Sequence, residues 1–226
     1  MSGDTRERLL AGTIATLRDK GIAGASARSI AAAAGVNQAL VFYHFGSVDE
    51  LIIAACRSAT QTRVARYSDQ FAGVTSLREL LTVGQALHEV ERAAGNTQVL
   101  AQVLAAAQQN AIFAEAAKQA LDLWITEIEQ TLQRILLDSP IKAALDIPGL
   151  ARAISAAFIG LELYEAADPT SSEHAMAALA QLAILTDVLD DLGPVARRAL
   201  RTRLRRTQAT RGSTEQPRIS TEQHSP

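Results

Sequence analysis

Cysteine is nearly absent from this 226-residue chain: Cys56 stands alone, so neither an internal disulfide nor a cysteine-built metal site can form. A small buried hydrophobe is the reading it supports. Aromatic residues contribute only 4% against 48% hydrophobic residues overall. No stretch alternates with period two for long enough to make a sheet, so the chain is expected to be all-α. Uninterrupted apolar runs such as 156–161 fall far short of the roughly 20 residues that a membrane span needs. The opening MSGDTRERLL is polar and charged, unlike a secretory leader, and a cytoplasmic protein with no membrane attachment is expected. Chemical signatures are missing too: there is no H-E-x-x-H, no glycine-rich phosphate loop and no nucleophile elbow. His88 and His174 stand in separate helical segments with no cysteine partner. No enzymatic activity, cofactor or metal is expected.

Charge is scarce overall but unevenly placed. The whole chain carries a net −2, yet 1–70 holds eight basic and six acidic residues, 71–196 six basic and sixteen acidic, and 197–226 eight basic and two acidic. An acidic body beneath a mildly basic head is compatible with DNA binding, because phosphate attraction is local within a Debye length of ~8 Å.

The stretch 26–51, SARSIAAAAGVNQALVFYHFGSVDEL, is the most informative. Ser26 is placed to cap an alanine-rich helix from Ala27 to Ala34, with Ile30 and Ala34 facing inward. Gly35 falls where a helix ends in positive φ, and Val36 supplies the apolar contact that closes the turn. A second short helix then begins at Asn37 or Gln38. Val36, Leu40, Val41 and Phe45 can point toward the body, leaving Gln38, Ala39, Phe42, Tyr43 and His44 outside: amides, aromatics and an imidazole without an acid. Ser47 with Glu50 matches a capping box, and Leu51, Ile52 and Ile53 carry a longer helix away. This is how a small helix is set into the major groove. Gln38 is the first candidate for direct readout, since an amide pairs bidentately with adenine. Asn37 has two readings, a second base contact or a helix cap. Ala39 and Leu40 offer methyl contacts to thymine, although Leu40 serves equally as core. Tyr43 and His44 suit phosphates, and Arg28 with Ser26 suits the backbone beside them.

These residues resemble the TetR family of bacterial transcriptional regulators, over roughly Asp4 to Ala55. The first helix Arg6–Lys20, the Ala34-Gly35-Val36 turn, the Phe42-Tyr43-His44-Phe45-Gly46 ending and the Ser47-x-x-Glu50 box carry the resemblance. It implies DNA-contact roles for Arg28, Gln38, Ala39, Tyr43 and His44. One departure matters: Val48 stands where the family usually has a phosphate-binding lysine, so that contact is missing or is replaced by amides at the helix start.

Beyond the head, Gly73, Gly95-Asn96, Ser139-Pro140, Pro148-Gly149, Asp168-Pro169 and Gly193-Pro194 punctuate helical lengths at 75–94, 97–108, 111–137, 147–166 and 172–192. The expected organisation is a helix-turn-helix domain at 1–46, a larger helical domain at 47–193 and a basic, largely disordered tail at 194–226. Asp146 is a cap for the 147–166 helix, with Pro148 near its first position. Leu150, Ile154, Phe158 and Leu161 make one apolar stripe along it, and Ala153, Ala157 and Gly160 make a second of small residues. A helix apolar on two faces needs two partners. One is the chain's own core and the other the same helices, 147–166 and 172–192, of a second subunit; the resemblance implies the same homodimer.

The resemblance also implies a small-molecule pocket inside the acidic body. Candidate lining residues are His88, Val103, Ala107, Phe113, Trp124, Phe158 and Leu161, with Gln108, Glu162 or Tyr164 as polar anchors. Ordinary core packing competes for each. Gln98, Gln102 and Gln109 fall along one side and are expected to be merely solvated. The function expected is a ligand-responsive DNA-binding regulator, by default a repressor that leaves a palindromic operator when a small apolar or amphipathic molecule binds. The alternative is a helical binding or scaffold protein whose head no longer binds DNA, for which Val48 and the weak basicity of the head speak.

Overall fold

The computed structural model describes residues 2–165 except 140, 143 and 144, and scattered residues between 167 and 203. Eight helices are delimited among them: α1 Ser2–Lys20, α2 Ala27–Ala34, α3 Ala39–Phe45, α4 Val48–Gly73, α5 Leu77–Ala93, α6 Asn96–Ala107, α7 Ala111–Ile135 and α8 Ile147–Glu165. Residues 173–179 are helical as well, and no strand occurs among the described residues. Most of the expected 172–192 helix and of the 194–226 tail lies outside the described residues.

Capping residues set most of these boundaries. Ser47, Ser76 and Asn110 each accept a hydrogen bond from an amide in the following first turn. At α8, Asp146 Oδ1 accepts from Gly149 N at 3.1 Å, and Pro148 occupies the second position, where a missing amide hydrogen costs nothing.

Three apolar clusters divide the interior. Leu9, Leu10, Ile30, Ala31, Ala34, Val41, Leu51 and Ala55 make the core of the head. A second cluster joins head to body through Leu17, Ile52, Cys56, Val99, Val103, Phe113 and Ala117. The third, from Tyr67 and Phe71 on α4 to Leu132 on α7 and Ala151 on α8, is the core of the body. Each cluster takes residues from α4, so this 26-residue rod, about 39 Å long, is fixed to the head at one end and to the body at the other. Arg134 holds the far end by donating to the carbonyls of Phe71 and Val74, the first of which also accepts the capping amide of Val74. Cys56 is buried in the joint, where loss of solvation pushes its thiol pKa up to about 11 against a weaker opposing pull from Arg63.

α8 is long and apolar enough to cross a membrane by length and composition. In this fold its apolar side chains are divided between α7, an internal cavity and an outer face. The row buried deepest is Ile147, Ala151 and Ser155, a line that the apolar stripes of the sequence did not single out.

Candidate nucleic-acid interface and internal cavity

The turn between α2 and α3 is held from several directions. Ser26 Oγ accepts from Ser29 N at 3.1 Å while Ser29 Oγ accepts from Ser26 N at 2.9 Å, so α2 starts in a reciprocal box whose second serine the sequence reading did not pick out. At its other end Gly35 adopts φ 63° and ψ 39°, and Val36 N donates back to Ala31 O at 3.0 Å in a Schellman closure. Arg8 of α1 adds a clamp, its Nε donating to Ala34 O at 3.1 Å and its Nη2 to Gly35 O at 2.6 Å. Nothing local in sequence announces that contact, because its partners lie 26 and 27 residues away. Gly12 lets α1 approach this closely: a Cβ there would meet the Ala34 amide nitrogen at 2.8 Å.

α3 runs from Ala39, one residue after Gln38, which is already in helical conformation, and Asn37 Oδ1 takes the amide of Ala39 at 2.9 Å as a cap does. Val41 is fully buried, with Val36, Leu40 and Phe45 packed around the same cluster. Gln38, Ala39, Phe42 and Tyr43 face outward, Tyr43 being 79% exposed. His44 is half-buried and meets the Tyr43 ring edge-on, with 4.9 Å between centroids. Arg28 and Ser26 are exposed at the start of α2. Val48 is half-buried against both the head and the joint clusters, so this position packs instead of reaching outward.

The body holds a partly open cavity of about 490 Å³ between α4, α5, α6, α7 and α8, continuing to Met176 and Leu179. Phe71, Leu80, Leu87, Trp124, Ile128 and Phe158 represent its apolar wall. Of the residues expected in a pocket, Trp124, Phe158, Leu161 and Glu162 line it. His88 is buried just behind the wall, its ring 5.6 Å from that of Phe158. Val103, Ala107 and Phe113 are elsewhere: they pack in the head-to-body joint, where inward-facing residues serve another compartment. Gln108 is exposed beyond the end of α6, and Tyr164 is 71% exposed on the outer side of α8. Neither anchors the cavity. Gln102 also departs from its expected solvated role: its Oε1 accepts from Ile22 N at 3.0 Å, tying α6 to the head.

One end of the cavity is polar. Arg63 Nη1 donates to Glu91 Oε2 at 2.9 Å, and Asn96 Nδ2 reaches the same oxygen at 2.8 Å. Asn96 Oδ1 in turn accepts from Arg18 Nη2 at 2.6 Å. A continuous polar chain therefore runs from the cavity wall to α1 of the head. It was invisible in the sequence, where Arg18 and Asn96 are 78 residues apart. His88 lies between two carboxylates, 2.7 Å from Glu165 Oε2 and 3.6 Å from Glu162 Oε1. Burial pushes the Glu162 carboxyl up to about 7, helped by the negative charges of Glu91 and Glu165 and opposed by Arg63. Among the described residues no cluster of histidine, cysteine and acidic groups is placed to hold a metal.

Residues 9–55 match the family described as bacterial regulatory proteins, tetR family. No curated protein matches the sequence. Among solved structures the chain is similar to a Rhodococcus sp. protein described as a TetR-family transcriptional regulator, with TM-score 0.68 and 22% identity over 83% of this chain and 98% of that one. It is similar also to the multidrug binding protein EbrR complexed with imidazole, with TM-score 0.56 and 26% identity over 79% and 94%. A third is the fatty acid degradation regulator FadR from Bacillus halodurans, with TM-score 0.62 and 14% identity over 79% and 95%. The head at 9–55 is thus that of the tetR family of bacterial regulatory proteins, and the chain shares its fold with TetR-family transcriptional regulators over nearly their whole length.

Proposed function

We propose that the chain is a ligand-responsive repressor, a homodimer that presents two α3 helices to a palindromic operator in the cytoplasm and releases it when a small apolar or amphipathic molecule fills the cavity. The observation that carries this reading is α4: the same rod that packs Leu51 and Ala55 into the head supplies Thr60, Arg63 and Phe71 to the cavity wall. A molecule that fills the cavity presses on a lever whose other end is the DNA-reading unit. The polar chain from Arg63 through Glu91 and Asn96 to Arg18 gives α1 a second connection to the same wall. The ligand must prefer the geometry that does not fit the operator, since equal affinity for both geometries shifts nothing.

On the DNA side, Gln38 and Ala39 are proposed to meet base edges, with Asn37 adding its free amide hydrogens while its oxygen caps α3. Tyr43, His44, Arg28 and Ser26 are proposed to hold phosphates. That a structural neighbour is a multidrug binding protein complexed with imidazole supports a small-molecule role for the same fold. For the homodimer, the support is the outer face of α8, where Ala156, Leu163 and Tyr164 are exposed in the single chain and stand outside the cavity lining.

Fluorescence anisotropy with a duplex from the gene's own upstream region tests the reading. Specific binding that survives competition by scrambled DNA is expected. Equal affinity for the two duplexes would reject operator recognition.

A further inference from the structure

Three carboxylates converge at the polar end of the cavity, and two of them are matched. Glu91 receives Arg63 and Asn96, and Glu165 receives His88 Nε2 at 2.7 Å and Arg92 Nη1 at 3.4 Å. Glu162 is the remainder. Its side chain is only 6% exposed and it lines the cavity, yet its nearest polar contact is His88 Nδ1 at 3.6 Å, beyond hydrogen-bond length. His88 Nδ1 is itself buried without a hydrogen-bond partner, while the Glu162 carboxylate beside it is turned to the cavity and no closer than 3.6 Å to that nitrogen.

Arg63 is the one basic residue on the cavity wall among the described residues, and each of its three nitrogens already donates a hydrogen bond. Its Nη1 goes to Glu91, its Nη2 to Thr60 Oγ1 at 3.0 Å and its Nε to the carbonyl of Ala59 at 3.3 Å. An anionic ligand entering this end would meet carboxylates and, among the described residues of the wall, a single cation whose charge is already paired with Glu91. A neutral ligand would leave Glu162 uncompensated. A positively charged head would restore the balance, while the apolar remainder of the cavity would take its hydrocarbon portion.

We propose that the cavity selects amphiphilic monocations, hydrophobic amines or quaternary ammonium compounds, whose head faces the Glu162 carboxylate and whose apolar part lies against Trp124, Ile128 and Phe158. This rests on the reading of the cavity as the effector site and narrows it to one charge class. Glu162 thereby becomes the residue that sets specificity, although it contributes nothing to the apolar wall.

Trp124, the sole tryptophan, lines the cavity and reports on occupancy. The full chain is titrated, by its tryptophan fluorescence, with decyltrimethylammonium, decanol and decanoate, which share a chain length and differ in head charge, all below micellar concentrations. The cation is expected to bind at least about tenfold more tightly than the other two. Glu162→Gln is expected to lose that preference while holding decanol as before, which shows that the cavity is intact. Because the trimethylammonium head has no proton to lose, its pH dependence reads the protein. Affinity should weaken as pH falls through about 7, where Glu162 takes up a proton amid His88, Glu91, Glu165, Arg63 and Arg92, and this dependence should vanish in Glu162→Gln. Decanol or decanoate binding as tightly as the cation, or an unchanged preference in Glu162→Gln, overturns the charge assignment and leaves the effector cavity standing. Failure of all three probes to produce saturable quenching overturns both.

Discussion

Gln38 and Arg28 are both exposed, and the roles proposed for them ask different things of DNA. An amide at a base edge discriminates between sequences, whereas a guanidinium at a phosphate contributes the same attraction to all of them. Gln38→Ala is therefore expected to cost roughly 1–3 kcal/mol on the operator and little on other duplexes. Arg28→Ala is expected to weaken every duplex alike and to lower the slope of log affinity against log salt by about one. Titrations of both variants on operator and scrambled duplexes at several salt concentrations separate the two roles, and a uniform loss for Gln38→Ala would remove it from base reading. Glu162 makes a second prediction at this scale, on stability. Its carboxyl is held near 7 in the fold against an ordinary 4.5, so between those values the folded chain binds the extra proton and stability falls as pH rises. Below 4.5 the group is neutral in both states and the penalty is absent; above 7 it is complete, at a few kcal/mol. Glu162→Gln should melt at nearly the wild-type temperature in acid and above it at pH 8, the gap opening across that window in thermal scans.

Among the helices, local signals and long-range contacts separate cleanly. Ser26, Gly35, Ser47 and Asp146 were legible in the sequence because a cap acts on amides within its own turn. The inward set of Val36, Leu40, Val41 and Phe45 was legible from helical spacing, and the head core contains it. Spacing gives the face of a helix that turns inward and says nothing of which compartment lies there. Val103 and Phe113 face inward as expected, into the joint instead of the cavity. The Arg8 clamp and the Arg18–Asn96–Glu91 chain escaped for the same reason, since their partners meet only when α1 crosses α2 and α6. Two predictions test these crossings. At the first, Gly12→Ala would push a methyl against backbone atoms of Ala34 that have no side-chain freedom to yield, and should destabilise the head by about 1–3 kcal/mol. Loss of protection in the segments of α1 and α2 by hydrogen exchange, with that of α7 retained, is the expected pattern. At the second, Arg18→Ala removes the hydrogen bond that links Asn96 on the cavity wall to α1, while changing no residue of α3 or of the lining itself. Operator affinity without ligand and ligand affinity without DNA should both stay near wild type, while the ligand-induced loss of operator affinity shrinks. A full ligand response in Arg18→Ala would assign the coupling to α4 alone.

For the whole molecule, the proposed homodimer makes the distance between two heads the decisive quantity. The head of one chain carries eight basic and six acidic residues through position 70, and the following segment to 196 is net −10, so a single head has little electrostatic hold on duplex DNA. Two heads held at a fixed separation convert the second contact into an intramolecular event, multiplying the affinity without any new interaction. The apolar outer face of α8 is where that separation would be set. Ala156 lies on this face, exposed and outside the cavity lining, one turn from exposed Arg152. Ala156→Arg would bring the new guanidinium and Arg152 against their symmetry mates across a twofold contact, while leaving the core of each chain untouched. Sedimentation should show wild-type protein at twice the chain mass and the variant at the chain mass, with melting temperature reduced only by the loss of mass-action stabilisation. Operator affinity should fall by far more than the single-head contacts account for, and linking two variant chains in tandem should restore part of it. A variant that remains paired, or one that separates yet binds operator as tightly as wild type, would move the symmetric contact away from α8 or remove the need for it.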